Sequence, residues 1–150
     1  MKKGATLIEI IVIMSIFITL AGLVTINLVG AKHKASLSSS LTLLVADLRS
    51  QQLKAMVGDT EGRGLEGSYG IYFTTSQYIL FHDLYNPSNS TNFAINLGDN
   101  IQVVSPNFAV SFATGSGELT TNTSIIINNI QTGEQKTIQL NKLGVLTTVN

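Results

Sequence analysis

The apolar positions of this chain change pattern three times. From Ile10 to Val24 nearly every residue is apolar, broken only by Ser15 and Thr19, with Gly22 inside the run. Widened to Ala5 and Val29, the run reaches about the 20 residues with which an α-helix crosses a bilayer. From Ser36 to Val57 the apolar positions thin to a stripe. Leu37, Leu41, Leu44 and Leu48 recur at steps of four, three and four, one face of a 3.6-residue helix. Ser39, Ser40, Asp47, Arg49 and Gln51 remain for its other faces. No proline interrupts residues 5–57, and Gly58 supplies a C-terminal stop. The pattern therefore predicts one helix of some fifty residues, roughly 75–80 Å long at 1.5 Å per residue. Its first half would lie in lipid and its leucine stripe would pack on a small domain. Gly22 and Gly30 mark where it could bend.

Beyond Gly58 the helical period gives way to strands. Asp59 to Gly67, "DTEGRGLEG", reads as an exposed loop. "YGIYF" and "YILFHDLY" flank "TTSQ" and predict a hairpin of residues 69–74 and 78–85. After the polar loop "NPSNSTN", strands are expected at 101–105, 110–112, 124–131, 136–140 and 145–149, with "ATGSGE" (113–118) as a hairpin turn. One long helix followed only by strands gives an α+β class, with an antiparallel β-sheet packed on the amphipathic half of the helix.

Composition narrows the function more than the fold. The 150 residues carry a net charge of zero and only 12% are charged, so no global field draws the chain to nucleic acid. Cysteine is absent, which excludes disulfides and thiolate metal sites. His33 and His82 are isolated, without metal-ligand spacing. Asp59, Glu61 and Glu66 lack the ordered ligand positions of a calcium loop. No nucleophile elbow or other catalytic signature occurs, so nothing points to an enzyme. Tyr69, Tyr72, Tyr78 and Tyr85 alternate with Phe73 and Phe81, but only Arg63 is near them in sequence. Core packing is the better account, with Ile71 and Phe73 on the buried face of a strand and Tyr72 on the other.

One residue disturbs the apolar run. Glu9 sets a carboxylate near its head, where a charge is costly unless a cation meets it. The first turns of a helix also favour an acid through the macrodipole. Lys2 and Lys3 precede the run, which by the positive-inside tendency leaves the N-terminus cytoplasmic.

Together, "KKGATLIEIIV" resembles the class III signal of type IV pilins and pseudopilins: a short basic leader, a glycine, then Thr6, Leu7 and Glu9 at the second, third and fifth places after it. In that family a membrane aspartyl peptidase cuts after the glycine and methylates the new N-terminus. The resemblance implies cleavage between Gly4 and Ala5, N-methylation of Ala5, and a filament-assembly role for Glu9, which would meet the new amine of a neighbouring subunit. Ala5 departs from the usual Phe or Met. "ADLRSQQLKAM" and the C-terminal arrangement around Phe112, Gly115, Gly117, Ile125–Ile127 and Gly144 are similar to minor pseudopilins of the GspH/FimT type.

The implied organisation is a cleaved leader (1–4), a transmembrane and filament-core helix (5–29), its amphipathic continuation (30–58) and a β-rich globular pilin domain (59–150). The implied function is that of a structural minor pilin or pseudopilin in a type II secretion pseudopilus or type IV pilus-like filament. Its partners would be the prepilin peptidase, other pilin subunits and the assembly platform, and its place the inner membrane, single-pass. No cofactor is implied. The alternative is a tip subunit that binds DNA in competence.

Overall fold

The computed structural model describes residues 7–64 and 66–149, the side chains of 23–31 and 33–35 excepted. Helical hydrogen bonding runs over α1 (Leu7–Val57). The chain divides into two compact units, Met1–Ala35 and Ser36–Asn150. In the first, residues 7–22 are helical and exposed throughout. This corrects the membrane-spanning expectation. Among the described residues no helix is long and apolar enough to cross a membrane. Residues 7–22 amount to roughly 24 Å of helix at 1.5 Å per residue, against a hydrocarbon core of about 30 Å. The single-pass inner-membrane placement rested on that span, and so did the pilin fold built on a long, half-transmembrane helix. Both fall with it.

The second unit corrects the other half of the expected fold. Its strands form two four-stranded antiparallel sheets, where a single sheet was expected. The strands are β1 (Tyr69–Phe73), β2 (Gln77–His82), β3 (Phe93–Asn96), β4 (Ile101–Val103), β5 (Phe108–Phe112), β6 (Thr123–Asn129), β7 (Gln135–Leu140) and β8 (Leu146–Val149). One sheet runs β3-β2-β1-β5 and the other β4-β6-β7-β8. β1 and β2 form a hairpin in which Tyr69 faces His82 and Phe73 faces Tyr78. After β3 the chain leaves the first sheet through Gly98 and Asn100, both at positive φ, and β4 opens the second. It then returns, and β5 pairs along the free side of β1, with Phe73 opposite Phe108. The stretch "ATGSGE" is therefore no hairpin turn. It carries the chain from β5 in one sheet to β6 in the other. The β6–β7 turn is built by Asn129, fully buried, whose Oδ1 accepts from the backbone N–H groups of Gln131 (2.9 Å) and Thr132 (3.2 Å).

Period-two burial explains why both sheets meet one core. Tyr69, Ile71 and Phe73 are buried along β1, and Ile125 and Ile127 along β6. Residues 36–57 add Leu37, Leu44, Leu48 and Ala55 to the same cluster, with Leu41 and Val45 packed at its side. Polar contacts pin this helical stretch at three levels. The Ser40 hydroxyl is hydrogen-bonded to the Leu97 carbonyl. The Tyr78 hydroxyl donates to Asp47 Oδ2 at 2.6 Å. Lower down, Gln52 Nε2 donates to the carbonyls of Gly117 (3.2 Å) and Leu143 (3.1 Å).

The helix ends in a Schellman motif. Gly58 has φ +63°, its N–H donates to Ala55 O (3.3 Å), and Asp59 N–H donates to Lys54 O (3.0 Å). Gly144, at φ +73°, lies so close to Gln52 and to the Gly117 carbonyl that a Cβ would not fit.

Candidate assembly surface

Residues 7–22 expose an apolar surface on every side. Leu7, Ile8, Phe17 and Ile18 are each at least two-thirds exposed, and Ile10, Ile11, Val12, Ile13, Met14, Ile16 and Leu20 are exposed as well. Consecutive positions turn by about 100°, so such a run leaves no polar stripe. The two hydroxyl residues within it are turned back on their own backbone. Ser15 Oγ donates to Val12 O (2.8 Å) and Thr19 Oγ1 donates to Ser15 O (2.6 Å). A helix that is apolar all round is stable only when something covers it.

Glu9 is the one acid on this surface and lies in the first turn of α1, exposed. There the positive end of the helix favours a carboxylate. Gly4 and Ala5, with the expected cleavage and methylation, lie outside the described residues. Leu37, Leu44 and Leu48 are buried and Leu41 is half-buried, all at the core of the folded unit and not on the exposed surface. The leucine stripe and Glu9 thus belong to different units. Lys32 is exposed.

The remaining sequence candidates separate in space. Tyr69, Phe73 and Tyr78 are buried, whereas Tyr72 stacks on Tyr85 with centroids 3.9 Å apart on the opposite face of the first sheet. Phe81 completes that outer group, 5.5 Å from Tyr85, and lies against Gly70, whose missing side chain makes the room. Arg63 is held by Glu61 at 2.8 Å. Burial pushes the Tyr78 hydroxyl well above its ordinary range, and its bond to Asp47 adds to the effect. Burial likewise pushes Tyr69 up to about 12, with Glu61 and Asp59 contributing. The Lys54 hydrogen bond holds Glu61 below the usual carboxylate value. Among the described residues no group of three or more His, Asp or Glu could hold a metal ion.

One feature escaped sequence reading: a cavity beside Gln51 and His82, both buried polar residues. Gln51 falls on the leucine-stripe side of the helix, but a glutamine there looked like an ordinary member of the exposed face. No protein-family model, curated protein or solved structure matches this chain.

Proposed function

We propose that the chain is a structural subunit that assembles with copies of itself or related subunits through its N-terminal helix. In this reading, cleavage after Gly4 frees an amine, Glu9 pairs with that amine on a neighbour, and residues 7–22 become the core of a filament. The single observation that supports it most is the apolar surface of residues 7–22, exposed on all sides in the isolated chain. Fully burying one large aliphatic side chain contributes about 1.5–3 kcal/mol. Eleven large apolar residues there are exposed by roughly half or more, so packing against like helices would be strongly favourable. The resemblance of "KKGATLIEIIV" to the class III prepilin signal supports the order of events. The machine would be a type II secretion pseudopilus or a type IV pilus-like filament, with the prepilin peptidase and the assembly platform as further partners.

The test is Glu9→Leu in cells that supply a prepilin peptidase and an assembly platform. The variant should still lose residues 1–4, seen by mass, yet be missing from sheared filaments. Filaments containing Glu9→Leu at the wild-type level would remove the role assigned to that carboxylate.

A further inference from the structure

Three asparagines stand two residues before a serine or threonine: Asn86, Asn89 and Asn122. Asn-X-Ser/Thr is the acceptor pattern for N-linked glycans, and its middle residue is never proline. Pro87 removes Asn86 from the set. Asn89-Ser90-Thr91 and Asn122-Thr123-Ser124 remain, and the fold holds them in opposite ways.

Asn89 lies in the loop between β2 and β3, where residues 86–91 are all exposed. The hydrogen bonds of this stretch close on the loop itself. Asn89 N–H donates to Asn86 O (3.0 Å) and Asn92 N–H donates to Asn89 O (3.2 Å). Ser88 N–H donates to Asn86 Oδ1 (3.0 Å) and Asn92 Nδ2 donates to Asn86 O (2.7 Å). The Asn89 carboxamide turns onto its own triplet, with Oδ1 accepting from Thr91 N–H (3.1 Å) and from Thr91 Oγ1–H (2.9 Å). The asparagine and the hydroxyl that the pattern requires are therefore side by side at the surface. No ladder bond has to break for this loop to be drawn into the cleft of an enzyme, so its opening is a local event.

Asn122 is tied down. Its Oδ1 accepts from Lys142 N–H at 2.8 Å, which fastens the start of β6 to the residues that follow β7. Thr123 and Ser124 already belong to β6, opposite Leu140 and Gln139 of β7. Presenting this triplet to an enzyme would peel the beginning of β6 from its neighbour. The pattern is the same in both places, and the access is not.

We infer that Asn89 is an acceptor site for an N-linked glycan and that Asn122 is not. The co-reactant is an oligosaccharide activated on a lipid pyrophosphate. Asn89 Nδ2 forms the new bond to the anomeric carbon, and the bond from that carbon to the pyrophosphate oxygen breaks. The lipid pyrophosphate leaves, and the proton lost from Nδ2 passes to a base of the transferring enzyme. The site is independent of residues 7–22 and of assembly.

The test incubates the full chain with an oligosaccharyltransferase of Asn-X-Ser/Thr specificity and its lipid-linked oligosaccharide, read by intact mass and peptide mapping. The chain should gain a single glycan, at Asn89, and Asn89→Gln should abolish the gain. Thr91→Ala should slow transfer by about tenfold or more, and Thr91→Ser, which restores the hydroxyl, should recover most of it. Ser124→Thr gives the second triplet the same hydroxyl residue as the first, and Asn122 should still stay unmodified. A full chain that gains no glycan, transfer to Asn122 as fast as to Asn89, or undiminished transfer in Thr91→Ala would each overturn the assignment.

Discussion

Residues 7–22 and 36–57 are both helical and both rich in large aliphatic side chains, but they meet opposite fates. In the second stretch one apolar stripe is covered by the two sheets, with Leu37, Leu44 and Leu48 at most 1% exposed, while Leu43 and Leu53 lie outside it. In the first the apolar residues occupy every face, and Ile8, Phe17 and Ile18 are each about 70% exposed. A stripe can be satisfied by a single domain on one side. A full apolar cylinder needs neighbours all round, which one small chain does not supply to its own helix. The contrast separates a helical stretch that builds a fold from one that, in the function proposed above, would build an assembly.

Truncating one side chain in each region gives the largest effect. Leu44→Ala, at a fully buried position, should cost about 3 kcal/mol of unfolding free energy, within the range for cavity-forming core truncations. Ile11→Ala in the exposed stretch should change the stability of the folded unit by no more than about 0.5 kcal/mol. Urea denaturation of both variants reads the difference. Equal losses would erase the distinction between the two regions.

Gly144→Ala comes next. Its backbone is left-handed at φ +73° and a Cβ would crowd Gln52 and the Gly117 carbonyl. A loss of about 2 kcal/mol is expected, combining backbone strain with overpacking, and measurable in the same assay.

Tyr78→Phe sharpens the account of how the helix is pinned. It removes the 2.6 Å bond to Asp47, which should cost about 1.5–3 kcal/mol at neutral pH, as for hydrogen bonds to charged groups, less whatever water recovers at this half-buried carboxylate. It should also change the alkaline limb. The Tyr78 hydroxyl is raised by burial above its unfolded value of about 10. Its stabilisation is therefore complete below pH ~10 and is lost as pH rises toward the folded value. The wild type should lose stability on that rise, and Tyr78→Phe should lose less. Identical alkaline profiles by circular dichroism would contradict the assignment.

The smallest effect belongs to Glu61. The Lys54 bond holds it below its ordinary value of 4.5, so its contribution is present above that pH and lost as pH falls. Because the pair is solvated, Glu61→Gln should cost roughly 0.5 kcal/mol or less at pH 7 and nothing at pH 2. Thermal melts at the two pH values check it.

Local signals carried much of this structure. The Gly58 stop, the alternation along β1 and the neighbouring strands at 124–131 and 136–140 were legible because each depends on neighbours in sequence. The strand at 93–96 was not, since "FAIN" at an edge is short and mostly exposed. The division into two sheets was also hidden. It rests on β5 choosing β1 and β4 choosing β6, pairings between segments far apart in the chain. The membrane span failed for a different reason: among the described residues no helix is long and apolar enough to cross a bilayer. Gln51 and His82 were read as an ordinary helix-surface residue and an isolated histidine, because only folding brings them to one cavity.

The absence of cysteine allows the central claim to be probed with a single thiol at a time. Phe17→Cys reports on the exposed helix and Leu53→Cys, 61% exposed on the folded unit, serves as its reference. Both should react with a maleimide at similar rates in dispersed protein. In assembled protein, Phe17→Cys should become strongly protected while Leu53→Cys stays more reactive, and adding Glu9→Leu should abolish the difference. If Phe17→Cys in the assembled state is labelled as fast as in the dispersed chain, residues 7–22 are not the assembly core.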